Sequence, residues 1–471
     1  MRGRPVPPGR PWLARRPWSR AATGYRDHVP LRLPERIAMC VVAAAFSVLN
    51  LLNKLLCTVP QPADVSRGEY VNRYGCWSDV VSLWNQRDLG AHVFPYVFGT
   101  YRGDPPVLGG GTVEYPTLTG VWVWFTALFA HSAASFLVVT GVVAALLAVV
   151  VTLALARIAG RRAWVFAATP PLALYAAYNW DLLPVACTVA GLLVMTAAPR
   201  SWPPLVRWAV TGFAFGVGGA FKLYPLMFLA ALVLAAFLDR DLDLPGRLHR
   251  SLVALGTGVG AVLVANVPFM VVNFEGWLSV FQFQAGRPIG ASTLSVWYYG
   301  LLPWSADLDG PFQDTMSMLA TVSTGLGILV VLGVTVAIGV RTGRTPWIQS
   351  SAAMLCVYMV CNKVDSPQYV LWLLPFFVVL RLGGWWIAAY LVTDVALTTG
   401  FFRNGYYAAI GQTGDTWASQ MMTAGIWVRA ALLVVFVVVF LRTPVVRRPL
   451  ADRTATGRRR ADVSVDAPPA R

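Results

Sequence analysis

Charge is scarce in this chain. Only 13% of its 471 residues are Asp, Glu, Lys or Arg, against 56% hydrophobic ones, and the mean hydropathy is +0.58. That balance excludes a soluble protein of this size and points to a bilayer. Lysine is scarcer still: of 38 basic residues only three are Lys, at 54, 222 and 363. The six cysteines show no metal-ligand spacing. The GxGxxG, P-loop, HExxH and GxSxG patterns are all missing, so the common soluble-enzyme chemistries have no foothold. No internal repeat is visible, and no small-x-small cleavage pattern follows the first apolar run, which therefore reads as an uncleaved signal anchor.

Arginine supplies the formal charge of +16, and its placement decides what that charge means. Residues 1–36 hold nine Arg against Asp27 and Glu35, and residues 442–471 hold eight against Asp452, Asp462 and Asp466. By the positive-inside rule such ends are cytoplasmic, so the charge faces a membrane surface and not nucleic acid. A window of about 20 residues finds apolar runs. They lie near 36–57, 133–156, 163–178, 182–197, 207–221, 224–238, 251–273, 317–340, 346–361, 367–381, 384–400 and 423–441, twelve candidate spans in all. Every loop this topology puts inside carries Arg, from Arg157, Arg161 and Arg162 to Arg381. The long loops it puts outside are the opposite: 58–116 has four Arg against six acids, and 274–316 has only Arg287 against four.

The expected organisation is an all-α polytopic membrane protein. A domain over 36–441 carries extracytoplasmic loops 58–132 and 274–316, between basic cytoplasmic tails, 1–35 and 442–471, that read as disordered. Thr117 to Ala130 is apolar too, but counting it as a span would put Arg161 and Arg162 outside. It reads as a helix in or dipping into the outer interface, anchored by Trp122 and Trp124. Cys57 and Cys76 fall near the oxidising side, where a disulfide tying the first loop to its helix is one reading and free thiols the other.

Polar residues gather at the outer ends of the spans: Asp79, Arg87 and Asp88 in the first loop, then Glu114 and Tyr115, Asn179 and Asp181, Lys222 and Tyr224, Arg287, and Lys363 with Gln368. A single one reads as a solvated loop residue. Six sets on one face point to a site, because ionisable groups near hydrocarbon depth are costly unless they pair or line a wet cavity. Lys54 fits a helix-end residue that snorkels. Lys222 and Lys363 sit where prolines interrupt helices and free backbone N–H groups, a setting suited with Arg287 to a phosphate. Asp88 reads as a solvated partner of Arg87, and Glu114 and Asp181 as acids at helix starts.

An acid on the outer loop beside cations placed for a phosphate is what inverting transfer from a lipid-linked phosphosugar requires. The acid, Asp79, serves as general base toward the acceptor hydroxyl. A phosphate leaving group needs no proton, so one carboxylate suffices where a glycosidase uses two. Trp77 and Tyr74 are placed to stack on a sugar ring, although interfacial aromatics are commonly only anchors. The expected transfer needs no metal and no cofactor, the cations doing the charge neutralisation.

The plan of one span, a long outer loop bearing an acid, an interfacial helix and a many-span body resembles the GT-C fold of polyprenyl-phosphate-sugar-dependent glycosyltransferases. More narrowly, CWSD, VEYPTLTG, YNWD, FKLYPLMFL, NVPF followed by EGW, and NKVDSPQYVLWLLPF resemble actinobacterial membrane proteins grouped with glycosyltransferase family 87, over about residues 37–441. The resemblance implies a GT-C-like bundle of about 12 transmembrane helices, with Asp79 as the catalytic base, and a polyprenyl-phosphate sugar, mannose or next arabinofuranose, given to a lipid or glycan of the cell envelope. YNWD departs from the Asn-Gly-Gln pattern common at that place in the wider family. The competing classes are a twelve-span secondary transporter or flippase, which would ordinarily show paired repeats, and a non-catalytic assembly protein, which would not need its polar residues on one face.

Overall fold

The computed structural model describes residues 31–104, 106–199, 201–301 and 311–446. Most of both expected tails, residues 1–30 and 447–471, lies outside the described residues. The chain is all-α apart from one small hairpin, in which strand β1 (Thr100–Gly103) pairs antiparallel with β2 (Pro106–Gly109). The helices, in order, are α1 (Leu33–Leu55), α2 (Arg67–Tyr74), α3 (Asp79–Gln86), α4 (Thr117–Ala127), α5 (Ala133–Ala159), α6 (Trp164–Ala167), α7 (Pro170–Tyr175), α8 (Leu182–Ala197) and α9 (Pro204–Phe221). They continue as α10 (Pro225–Phe237), α11 (Leu244–Val272), α12 (Phe274–Gly286), α13 (Val296–Leu301), α14 (Pro311–Thr342), α15 (Trp347–Cys361), α16 (Val370–Val379), α17 (Gly384–Ala409) and α18 (Trp417–Arg442).

Among the described residues six helical stretches are long and apolar enough to cross a membrane: Leu33–Thr58, Ala133–Ala167, Leu244–Val272, Pro311–Thr342, Gly384–Ala409 and Trp417–Arg442. α11 and α14 bury little of their apolar surface against the rest of the protein, as befits helices whose outward faces meet lipid. Each apolar run read from the sequence falls on helix, with one correction. The run 163–178 is not one helix: it breaks into α6 and α7 at Thr169, which precedes Pro170 and takes the extended backbone that a residue before proline prefers. The helix expected at the interface is also more enclosed than a lipid-anchored one. α4 buries Thr117, Thr119, Val123 and Thr126, and Trp124 donates its indole N–H to His92 O at 2.9 Å.

The centre of the fold is α16. All ten of its residues are buried, which suits a helix apolar on every side. Its last carbonyls would be orphaned there, and one guanidinium satisfies them: Arg162 donates to Phe377 O at 2.9 Å, Val378 O at 3.0 Å and Leu380 O at 2.8 Å. Its other end, preceded by Pro367–Tyr369, opens onto the cavity described below. α9 reaches the same level by packing tightly on α11. A Cβ on Gly212 would come within 2.2 Å of Ala254 O, and one on Gly216 within 2.2 Å of Gly258 O, so only glycine allows that approach.

The end of α1 clamps the first loop. Cys57 and Cys76 form a disulfide with Cα atoms 5.6 Å apart, Asn53 Nδ2 donates to Tyr74 O at 3.0 Å, and Lys54 Nζ donates to Gly75 O at 2.8 Å. Lys54 is thus buried as a clamp and does not snorkel to water. Gly75, at φ 60°, ends α2 in the left-handed region and turns the chain toward Trp77. Thiol counting by mass spectrometry should find four alkylatable cysteines before reduction, Cys40, Cys187, Cys356 and Cys361, and six after. Six before reduction would contradict the clamp. Cys76→Ser should cost about 3 kcal/mol of stability for a loop of roughly this length.

Candidate active site

The segment released by Gly75 docks on the turn between α7 and α8. Ser78 Oγ donates to Ala177 O at 2.8 Å, and the Asp79 N–H donates to Tyr178 O at 2.9 Å. Asn50 of α1 holds the same turn from behind, accepting from the Ala177 N–H at 2.7 Å. Asp79 becomes the first residue of α3, with its carboxylate in the wall of a cavity of about 690 Å³. Tyr115 Oη donates to Asp79 Oδ2 at 2.6 Å and Trp77 Nε1 to Oδ1 at 3.1 Å. Burial raises the Asp79 carboxyl above its ordinary value, against the opposing pull of those two hydrogen bonds and of the Lys222 and Arg287 charges. Burial and the neighbouring Asp79 likewise push the Tyr115 phenol well up, so it remains a donor.

The cations occupy three different settings. Lys222 ends α9 and forms an ion pair with Asp181 Oδ1, which also accepts from Trp372 Nε1 at 3.0 Å. Its ammonium is ringed by aromatic faces, with Trp372 at 4.9 Å, Tyr369 at 5.1 Å and Tyr115 at 5.7 Å from the ring centres. Lys363 donates to the carbonyls of Ala285 and Arg287, each at 3.0 Å, and so fixes the end of α12. Burial, reinforced by the Arg287 charge, holds the Lys363 ammonium below its ordinary value. Arg287 lines the cavity, and among the described residues no carboxylate lies within ion-pair reach of its guanidinium. Of the three cations expected at a phosphate, Lys222 is paired with a carboxylate, whereas Lys363 and Arg287 line the cavity with no carboxylate partner among the described residues.

The remaining sequence-picked residues divide. Trp77, Glu114, Tyr115, Asn179 and Gln368 line the cavity. Glu114 is engaged by Arg87 at 3.0 Å, so Arg87 does not pair with Asp88, which is exposed and sits in left-handed backbone. Two aromatics fall away from the cavity. Tyr74 is exposed and packs on Tyr70, because the turn at Gly75 points the chain past it. Tyr224 is buried with its hydroxyl 3.5 Å from Thr188 and its ring stacked on Trp372 at 4.4 Å, so it supports the floor without reaching the space. Asp181 also lies outside the lining and acts through Lys222.

Sequence reading missed Tyr369 and Phe402 in the lining, neither of which stands out in a chain so rich in aromatics. It also missed a buried charge cluster behind the Lys363 turn. Arg429 of α18 contacts Asp365 Oδ2 at 2.7 Å and Asp394 Oδ1 of α17 at 3.7 Å, and Tyr175 donates to Asp394 Oδ2 at 2.9 Å. The signal was available, since Asp394 and Arg429 are each the single ionisable residue in their apolar run.

No protein-family model matches the chain, and no curated protein matches it. Among solved structures it is similar to one described as ArnT from Cupriavidus metallidurans bound to undecaprenyl phosphate, at TM-score 0.39 and 15% identity over 84% of this chain and 77% of that one. A likeness that loose assigns neither a fold family nor an activity.

The charge cluster makes a direct test of how the Lys363 turn is held. Arg429→Met should destabilise the protein by about 3–5 kcal/mol, because two buried carboxylates lose their counter-charge, and adding Asp394→Asn should recover part of the loss. Thermal unfolding in detergent measures both. A single variant as stable as the parent would show that the cluster does not hold this turn.

Proposed function

We propose that the protein is an inverting glycosyltransferase of GT-C type that moves a sugar from a polyprenyl-phosphate donor to a hydroxyl of a cell-envelope lipid or glycan. The observation that carries this reading is a carboxylate, Asp79, held by two donors in the wall of a cavity that also contains a guanidinium, Arg287, free of any carboxylate partner among the described residues. The motif resemblance to glycosyltransferase family 87 supports mannose as the sugar, with arabinofuranose next. The arginine distribution supports cytoplasmic termini and a site on the outer face of the cytoplasmic membrane.

In this mechanism Tyr115 and Trp77 each occupy one carboxylate oxygen of Asp79 and leave the other lone pairs free for an acceptor hydroxyl. As the hydroxyl oxygen bonds to the anomeric carbon, its proton passes to Asp79. The bond from that carbon to the phosphate oxygen breaks, and the electron pair leaves with the polyprenyl phosphate. Arg287 stabilises the phosphate charge, with its backbone held by Lys363. Lys222, already neutralised by Asp181, orders the wall between them. Neither a metal nor a cofactor has a part in these steps.

Asp79→Asn should keep donor binding and lower turnover by about 10² to 10⁴. Arg287→Ala should weaken donor binding by roughly 1.5 to 3 kcal/mol. The base must be ionised, and burial raises its pKa, so activity should fall as pH drops, with a midpoint above the ordinary carboxylate value of 3.8. That acid limb should vanish from the residual activity of Asp79→Asn. Normal turnover in Asp79→Asn would overturn the assignment of the base.

A further inference from the structure

Two side chains in the cavity wall have polar atoms with nothing in the protein to bond. Asn179 is 2% exposed and Gln368 is 4% exposed, and both line the cavity. Asn179 uses its Oδ1 to accept the Asp181 N–H at 3.0 Å, which leaves Nδ2 without a partner. Gln368 leaves Oε1 without one. Buried amides are nearly always satisfied, so two cavity-lining residues that each keep an unpaired amide atom point to a ligand that supplies what they lack.

The fold brings the two together. Trp372 lies four residues beyond Gln368 on the helical path into α16, and its indole donates to Asp181, two residues beyond Asn179. Beside them Tyr369 lines the same cavity and stacks on Trp372 with ring centres 3.8 Å apart. The local charge is balanced, because Asp181 and Lys222 neutralise each other. A charged substituent therefore gains little here. An apolar one would leave both amides unpaired. A hydroxyl donates and accepts, so it satisfies either amide, and the C–H face of a sugar ring suits an aromatic neighbour.

We propose that Asn179 and Gln368 form the subsite for the hydroxyl groups of the transferred sugar, so that the donor is selected by its sugar as well as by its phosphate. This inference rests on the donor class given under Proposed function. Sites built to hydrogen-bond a hydroxyl reject analogues that lack it far more strongly than apolar pockets do.

The test uses the full-length protein in detergent and three probes: polyprenyl-phosphate mannose, polyprenyl-phosphate arabinofuranose, and polyprenyl phosphate without a sugar. At least one sugar-bearing lipid should bind about tenfold or more tighter than the bare lipid. Gln368→Met and Asn179→Leu, near-isosteric and unable to make these bonds, should each reduce that advantage by about tenfold while the bare lipid binds as before. Asn179 also holds the Asp181 N–H, so if its variant does not fold, Gln368→Met carries the test alone. Equal binding of bare and sugar-bearing lipids to the parent protein would overturn the subsite and leave the phosphate reading standing. Proportional loss of all three lipids in Gln368→Met would make the residue one of packing only and also overturn it. Failure of every lipid to bind the parent would overturn the donor class and the subsite with it.

Discussion

A half-buried lysine and a buried aspartate paired at the meeting point of three helix ends set the terms for the rest of this structure. Lys222 closes α9, Asp181 opens α8, and Trp372 near the start of α16 bonds to the same carboxylate oxygen. Neither charge is tolerable alone in such apolar surroundings, so the pair forces the three ends to one level. The consequences spread outward. The turn just before Asp181 offers the carbonyls of Ala177 and Tyr178 on which Ser78 and Asp79 dock, and Tyr115 reaches from its own loop to touch both Asp79 and the rim of the Lys222 cage. The cavity is the space left where these ends cannot close on one another.

A second constraint works from the opposite side. Lys363 binds the last carbonyls of α12, and Arg429 binds the turn that carries Lys363, so Arg287 is presented by a chain of contacts that begins in the buried part of α18. Cation and carboxylate thus reach the cavity from independent supports, Arg287 from α12 and Asp79 from the clamp at the end of α1. In the proposed transfer, that separation lets the leaving phosphate and the attacking hydroxyl be held by different parts of the fold.

Much of the architecture was legible because apolar runs of helical length leave few alternatives. α1, α5 and α11 fall where hydropathy puts them, whereas the break at Thr169 was missed, because an apolar run of spanning length hid the proline that follows it. The individual polar residues were legible for the same reason: an acid such as Asp79 or a lysine such as Lys222 stands out when charge is rare. Pairing was not. Hydropathy says that Lys222 needs a partner, but Asp181, 41 residues away, is named only by the packing of α8 on α9. Tyr74 and Trp77 look equivalent in YGCWSD, and only the left-handed turn at Gly75 sends one to the surface and the other to the cavity. The ion pair of Lys222 with Asp181 also leaves Arg287 and Lys363 as the cations of the lining without a carboxylate partner among the described residues, a distinction that composition cannot make.

The central claim is that chemistry on a lipid-linked sugar occurs in this cavity. The direct measurement is to incubate the purified protein with polyprenyl phosphate carrying radiolabelled mannose or arabinofuranose and a lipid extract of an actinobacterial envelope, and to follow the label. The account predicts that label leaves the polyprenyl lipid, appears on a second lipid or glycan with inverted anomeric configuration, and does so with chelator present. Label that remains wholly on the polyprenyl lipid while the protein moves that lipid from one leaflet to the other would contradict it and identify a flippase.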